Sequence, residues 1–155
     1  METRTLDAHL RVRGWSRSEL ARRVGVSRQA VSRWFRGGKA RLRGDHLLRV
    51  SEVLGVPVEE LARPLPALGE EHDRIEAQVL WDRQYPDLVD FAIAVNRWEP
   101  VAVGRFVEVY GLYAAAKAMG SSVWSRFPEY CRYIHPVRRR QLEALVRWRL
   151  NRAVS

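Results

Sequence analysis

Cysteine occurs once among the 155 residues, as Cys131, so the chain closes no internal disulfide and lacks the cysteine pairs of thiolate-rich zinc sites. The opening stretch METRTLDAHLRVRG has none of the charged-then-apolar pattern of a leader, and a reducing cytoplasm is the expected setting. No apolar run approaches the ~18 residues that suggest a membrane span, because Asp90, Arg97 and Glu99 interrupt the longest one. Lysine is scarce as well. Lys39 and Lys117 leave 25 arginines among the 27 basic residues, a bias that a GC-rich genome produces as readily as phosphate recognition does.

Recognisable catalytic patterns are also missing. There is no P-loop, dinucleotide fingerprint, GxSxG or HExxH, and His9, His46, His72 and His135 fall without metal-ligand spacing. The run Glu70-Glu71-His72-Asp73 sits where a helix begins, a place that favours acids for electrostatic reasons alone. The expectation is a binding protein, not an enzyme, with no catalytic residue, cofactor or metal.

What the chain does have is positive charge, +9 at pH 7, with apolar residues at 46%, enough for a packed core. The charge is unevenly placed. Residues 1–69 carry +7, residues 70–125 carry −4 and residues 126–155 carry +6. Between residues 11 and 49 stand 12 basic side chains against Glu19 and Asp45 alone, a concentrated field suited to an anionic partner.

Apolar residues recur at i, i+3, i+4 throughout, and no alternation persists long enough for a strand, so the fold class is all-α. Helices are expected near 5–13, 17–24, 28–36, 45–54 and 57–62, then near 70–84, 87–97, 100–110, 112–119, 122–127 and 136–151. Ser16 with Glu19 reads as a capping box, Ser27 and Asp45 as N-caps, and Gly25, Gly37-Gly38, Gly55, Gly111 and Gly120 as stops. Two prolines and a glycine within residues 64–69 mark a linker. It divides the chain into residues 1–63, a five-helix domain, and residues 70–155, a helical domain for oligomerisation or partner binding.

Within the first domain, Arg17-Ser-Glu-Leu-Ala-Arg-Arg-Val24 and Arg28-Gln-Ala-Val-Ser-Arg-Trp-Phe35 are separated by Gly25-Val26-Ser27. A short glycine-containing turn between two short helices is helix-turn-helix geometry. Ala21 is small where the second helix crosses, Gly25 takes a positive φ, and Leu20, Val24, Val31 and Trp34 supply the apolar faces. This leaves Arg28, Gln29, Ser32 and Arg33 outward on the second helix. Arginine bonds guanine O6 and N7 together and glutamine bonds adenine N6 and N7, the residue types that read a major groove.

With Leu20-Ala21, Val24-Gly25, Val31, Trp34, the Gly37-Gly38 exit and Leu54-Gly-Val-Pro-Val-Glu-Glu-Leu61, the segment 16–62 resembles the Cro/cI-type (XRE) helix-turn-helix domain of phage repressors and bacterial regulators. The resemblance implies double-stranded DNA as partner, with Arg28, Gln29, Ser32 and Arg33 at the base edges. It further implies Arg17, Ser27, Arg36, Lys39, Arg41 and Arg43 at phosphates or an adjacent minor groove, and a homodimer acting as a repressor. Lys39-Ala-Arg-Leu-Arg-Gly44 lacks the proline and polar residues often found there. Modules of this pattern also serve as protein docking sites, the alternative to DNA binding.

The second domain holds Trp81, Tyr85, Phe91, Trp98, Phe106, Tyr110, Tyr113, Trp124, Phe127, Tyr130, Tyr133 and Trp148, whose helical spacing suits a core better than base stacking. Ala116 and Gly120 imitate the spacing of Ala21 and Gly25, but Arg126 and Pro128 break the imitation. Leu142, Leu145, Val146 and Arg149 fall on successive turns and make the last helix amphipathic, while Arg138, Arg139, Arg140, Arg147, Arg149 and Arg152 give it a basic back. That back fits a solvated face, a DNA-backbone contact or an acidic partner. Trp81-Asp82, the helix from Pro100 to Val109-Tyr-Gly111, and His135-Pro136-x-Arg138 resemble the C-terminal segment of regulators encoded beside nucleotidyltransferase-type toxins. That resemblance implies toxin binding or self-association, and with it an antitoxin as the alternative function.

Overall fold

The computed structural model describes residues 1–36, 40, 42–66 and 72–152, without the side chains of residues 72–74 and 152. Among the described residues the chain is helical, with no strand, and divides into two compact units, Met1–Leu65 and Pro66–Ser155. The division falls inside the Pro- and Gly-containing stretch 64–69, of which residues 67–69 lie outside the described residues.

The first unit contains α1 (Thr3–Val12), α2 (Arg17–Val24), α3 (Arg28–Trp34), α4 (Gly44–Leu54) and α5 (Val58–Ala62). Leu6 and Leu10 of α1, Leu20 and Val24 of α2, Val31 of α3, Val50 and Leu54 of α4 and Leu61 of α5 meet in one core. Polar groups close the unit around it. The Glu2 amide donates to Leu61 O at 2.9 Å, and the Thr5 hydroxyl donates to Arg63 O at 2.7 Å. His9, fully buried, sits with Nε2 3.2 Å from Glu60 Oε1, while Arg13 donates to Leu54 O at 2.6 Å. These links fasten α1 to α4 and α5, so the chain ends of the unit hold its core shut.

Helix boundaries follow local chemistry. Ser16 and Ser27 cap α2 and α3, each accepting the amide three residues on at 3.1 Å, which satisfies a donor that the first turn would otherwise leave open. The capping box at Ser16 is formed on one side: Glu19 turns its carboxylate to Arg22 and Arg23 instead. Asp45 is not the cap of α4. The helix begins at Gly44 with Arg43 before it, and Asp45 stands in the first turn, where its charge still suits the helix dipole. Helix α3 stops at Trp34, short of the expected 36, with Phe35 already out of helical geometry.

The second unit contains α6 (His72–Val79), α7 (Leu88–Asn96), α8 (Pro100–Met119), α9 (Ser122–Ser125), α10 (Phe127–Tyr130), a 3-10 turn at Cys131–Tyr133, and α11 (Pro136–Arg152). Asp87 caps α7, accepting from Val89 N at 2.7 Å and Asp90 N at 3.0 Å. Six consecutive buried residues, Phe91 to Asn96, make α7 an interior helix. Helix α8 is the spine, packed against α6, α7, α9, α10 and α11. Gly111 breaks it with φ 81°. The span Pro100–Met119 is therefore two helices that meet at Gly111, as the expected helices 100–110 and 112–119 have it. At Gly104, α8 lies so close to the 3-10 turn that a Cβ would come within 2.9 Å of Tyr133 Cβ. Pro128 sits in the first turn of α10, where its missing amide costs nothing.

The aromatics divide. Tyr85, Phe91, Phe106, Trp124, Phe127 and Tyr130 fill the core with Leu112, Leu142 and Val146. Trp81, Tyr113 and Trp148 do not: they remain 73%, 57% and 49% exposed, contrary to the core placement expected from spacing. No described helix is long and apolar enough to cross a membrane.

Candidate nucleic-acid interface

The surface of interest is built on α2, α3 and the start of α4. Helix α2 ends at Gly25, whose φ of 75° is the left-handed geometry that favours glycine, and the Val26 amide closes the turn on Ala21 O at 3.0 Å. Two residues later Ser27 starts α3. Leu20, Ala21 and Val24 bury against Val31 and Trp34 across the turn, so the two helices pack as one piece, and Ala21 leaves room for the crossing.

With Val31 and Trp34 turned inward, the other faces of α3 are outward. Arg28, Gln29, Ser32 and Arg33 are all exposed. Among the described residues none of the four makes a side-chain hydrogen bond or ion pair. This distinguishes them from the arginines of α2. Arg22 and Arg23 are committed to Glu19 at 2.6 Å each, and these bonds, that of Arg22 foremost, hold the Glu19 carboxyl below its ordinary range. Arg23 also lies over the Trp15 ring at 4.1 Å. The unit therefore spends the α2 cations internally and leaves those of α3 open to an outside acceptor.

Arg17 is held. Its guanidinium lies over the Phe35 ring at 4.0 Å and reaches Asp7 Oδ1 at 3.2 Å. Both ends of that pair are more than half exposed, so a phosphate can compete for it at small cost. Ser27, exposed at the N-terminus of α3, accepts from Ala30 N and keeps its hydroxyl proton for an outside acceptor. Lys39 and Arg41 lie outside the described residues.

Arg36 and Arg43 come together with Arg33 around a cleft of about 560 Å³, which Ala30, Trp34, Leu42 and His46 also line. Among the described residues no carboxylate lines it. His46 was not legible as part of this surface. Its ring centroid lies 6.0 Å from that of Trp34, and Nε2 is 3.9 Å from Asp45 Oδ2. Its place in the first turn of a helix was the available signal, but nothing in the sequence told which way the ring faced. The first turn of α4 has no side-chain cap, and amides at a helix start beside cations suit an anion.

Chemically, the arrangement offers bidentate and amide-like groups on a protruding helix face, with cations around one end of it. That is what reading base edges while neutralising adjacent phosphates requires. Among the described residues no group of His, Cys, Asp and Glu could hold a metal ion.

Comparison with known proteins agrees in place. Residues 9–61 match the model of the helix-turn-helix family. No curated protein and no solved structure matches the chain.

Proposed function

We propose that residues 9–61, which match the helix-turn-helix family model, are a DNA-binding domain of the XRE type, and that the chain is a sequence-specific transcriptional repressor that binds its operator as a homodimer. It works in the cytoplasm at the nucleoid, without cofactor and without catalytic step. The observation that carries this reading is the exposed, internally unpartnered set Arg28, Gln29, Ser32 and Arg33 on one seven-residue helix. In the proposed mode α3 enters the major groove. Arg28 and Gln29 of its first turn reach base edges, with Ser32 and Arg33 one turn further on. Arg36, Arg43 and Arg17 bind phosphates and fix the register.

One such helix spans about half a turn of duplex, so useful specificity needs a second copy on a half-site about 34–36 Å away. Bound there, the dimer blocks access of other proteins to the same DNA.

The direct experiment is selection of bound sequences from a random duplex pool by the full chain at several salt concentrations. The expected result is enrichment of an inverted repeat, with affinity falling steeply as salt rises. A pool that stays unenriched overturns the regulator reading. A second reading, in which residues 70–155 bind and neutralise a toxin while the first unit represses its own promoter, draws on the exposed Trp81 and Trp148. A stable partner captured from the native host by the full chain, and lost on removing those indoles, would favour it.

A further inference from the structure

The second unit presents two surfaces whose chemistry is complementary. The turn between α6 and α7 is tied down by Arg105, which donates to Val79 O at 2.9 Å, to both carboxylate oxygens of Asp82 and to Gln84 Oε1 at 3.1 Å. Asp82 also accepts the Gln84 amide, and Arg83 between them takes φ 58°, a left-handed geometry rare outside glycine. The turn so fixed does not bury the indole beside it. Trp81 is the most exposed large apolar side chain among the described residues.

Trp81 stands at a cleft of about 470 Å³, together with Val101, Val109, Tyr133, Gln78 and Glu108. Arg105 borders the same cleft, but its donors are turned to the turn it holds. Glu108 accepts the His135 amide at 3.3 Å through one carboxylate oxygen, which leaves the other for an outside donor. The cleft thus mixes the apolar groups of Trp81, Val101 and Val109 with polar ones, and Glu108 is its one carboxylate among the described residues; it suits an apolar side chain accompanied by a cation, on an indole that Arg105 already approaches at 5.8 Å.

The other surface is the outer face of α11. Leu142 and Val146 point into the core. Opposite them Val137, Ala144 and Trp148 follow one another at intervals of seven and four residues, all exposed. Arg140 and Arg147 flank that stripe and have no partner among the described residues. Duplex DNA would satisfy the arginines and leave Val137 and Trp148 in water. Two such stripes laid against each other would bury the apolar groups and set arginine against arginine. An acidic, aromatic cleft satisfies both requirements, and the charge of −4 over residues 70–125 against +6 over residues 126–155 has the matching signs.

We propose that the second unit is the dimerisation device: the cleft at Trp81 and Glu108 of each copy receives the Val137–Trp148 face of α11 from the other, with Arg140 and Arg147 meeting the Glu108 side. The contact is reciprocal about a two-fold axis. It rests on the dimeric reading above and names the surface that makes the dimer.

The experiment is sedimentation of the full chain over a hundredfold range of concentration, with variants tested alone and mixed. Wild type is expected to dimerise. Trp81→Ala, Glu108→Arg and the double variant Arg140→Glu/Arg147→Glu are each expected to weaken the dimer at least tenfold. In an equimolar mixture of Glu108→Arg with Arg140→Glu/Arg147→Glu, each contact has opposite charges again, one native and one swapped, so the dimer returns. Circular dichroism confirms folding; if Glu108→Arg misfolds, Glu108→Gln replaces it, and its mixture with Arg140→Glu/Arg147→Glu, which then has one native contact and one without repulsion, is expected to dimerise more tightly than Arg140→Glu/Arg147→Glu alone.

A wild type that stays monomeric, variants that dimerise as wild type does, or a mixture that stays monomeric overturns the proposal. So does a wild type that ignores its own copies but binds a different basic protein through Trp81. Enrichment of a sequence in the selection above, combined with any of these results, leaves the DNA-binding reading standing and removes the surface alone.

Discussion

Arg28→Ala tests the separation of base reading from phosphate binding most directly. Its side chain is exposed and has no internal bond to lose, so the stability of the first unit should not change beyond the ~0.5 kcal/mol expected of an ordinary surface substitution. Its effect on DNA is of another kind. A bidentate arginine–guanine pair is worth ~1–3 kcal/mol of discrimination, which at about 1.4 kcal/mol per decade is about 5- to 140-fold in affinity for the selected operator. Affinity for a scrambled duplex should hardly change.

Arg36→Ala and Arg43→Ala supply the contrast. Both residues line the cationic cleft beside α3, and each loss should weaken all duplexes alike while reducing the slope of log K against log salt by about one. The assay is fluorescence anisotropy on both duplexes between 50 and 300 mM salt, on the order of the range over which phosphate contacts dominate, with a thermal melt of each variant as control. If Arg28→Ala lowers affinity equally for operator and scrambled duplex, or Arg36→Ala changes the preferred sequence and leaves the salt slope alone, the assignment of roles is wrong.

Other outcomes follow from the packing. Gly25→Ala should destabilise the first unit by ~1–2 kcal/mol, since the residue sits at φ 75° and a Cβ there meets the following carbonyl; chemical denaturation measures it. Gly104→Ala should destabilise the second unit by ~1 kcal/mol, because an overpacking cost of ~1–3 kcal/mol against Tyr133 Cβ and Tyr130 O outweighs the ~1 kcal/mol gained in helix propensity. An unchanged or raised denaturation midpoint would refute the close approach. Tyr130→Phe should cost about 1 kcal/mol in the same assay, since its buried hydroxyl donates to Val123 O at 2.6 Å. The Arg105 bonds hold the Asp82 carboxyl below its ordinary range. That pair therefore contributes stability above about pH 4 and loses it as pH falls through the lowered value. Thermal melts from pH 7 down to about 2 should show the stability gap between wild type and Asp82→Asn closing below about pH 4; a gap constant with pH would refute it.

Local signals in the first unit were sufficient because each has a local cause. Ser16 and Ser27 cap because a hydroxyl three residues before an open amide reaches it whatever lies elsewhere. Gly25 turns because it has no Cβ. Asp45 misled because cap and first-turn acid are both favourable and lie one or two residues apart. The arginines were harder. Sequence counted twelve cations between residues 11 and 49 as one field, whereas α2 consumes Arg22 and Arg23 on Glu19, and Asp7 from another helix takes Arg17. A pairing within one helix can be read from spacing; one across helices cannot.

In the second unit, periodicity identified helices and misjudged three aromatics. A stripe at helical spacing says that a face exists, and α11 has two of them: Leu142 and Val146 inward, Val137, Ala144 and Trp148 outward. Which face the core takes depends on α8 and α9 packed against it. Trp81 is outside because Arg105, 24 residues away, fixes the turn next to it.

By itself, then, the sequence determined an all-helical chain, the glycine turn between α2 and α3, and the four residues that α3 turns outward, all consequences of bonding and sterics within a few residues. Only the tertiary structure decided which arginines remain unpaired, that His46 joins the cleft with Arg36 and Arg43, and which indoles stay in water. Those outcomes depend on side chains from different helices reaching one another, and distance in space between helices is not encoded in the spacing along any one of them.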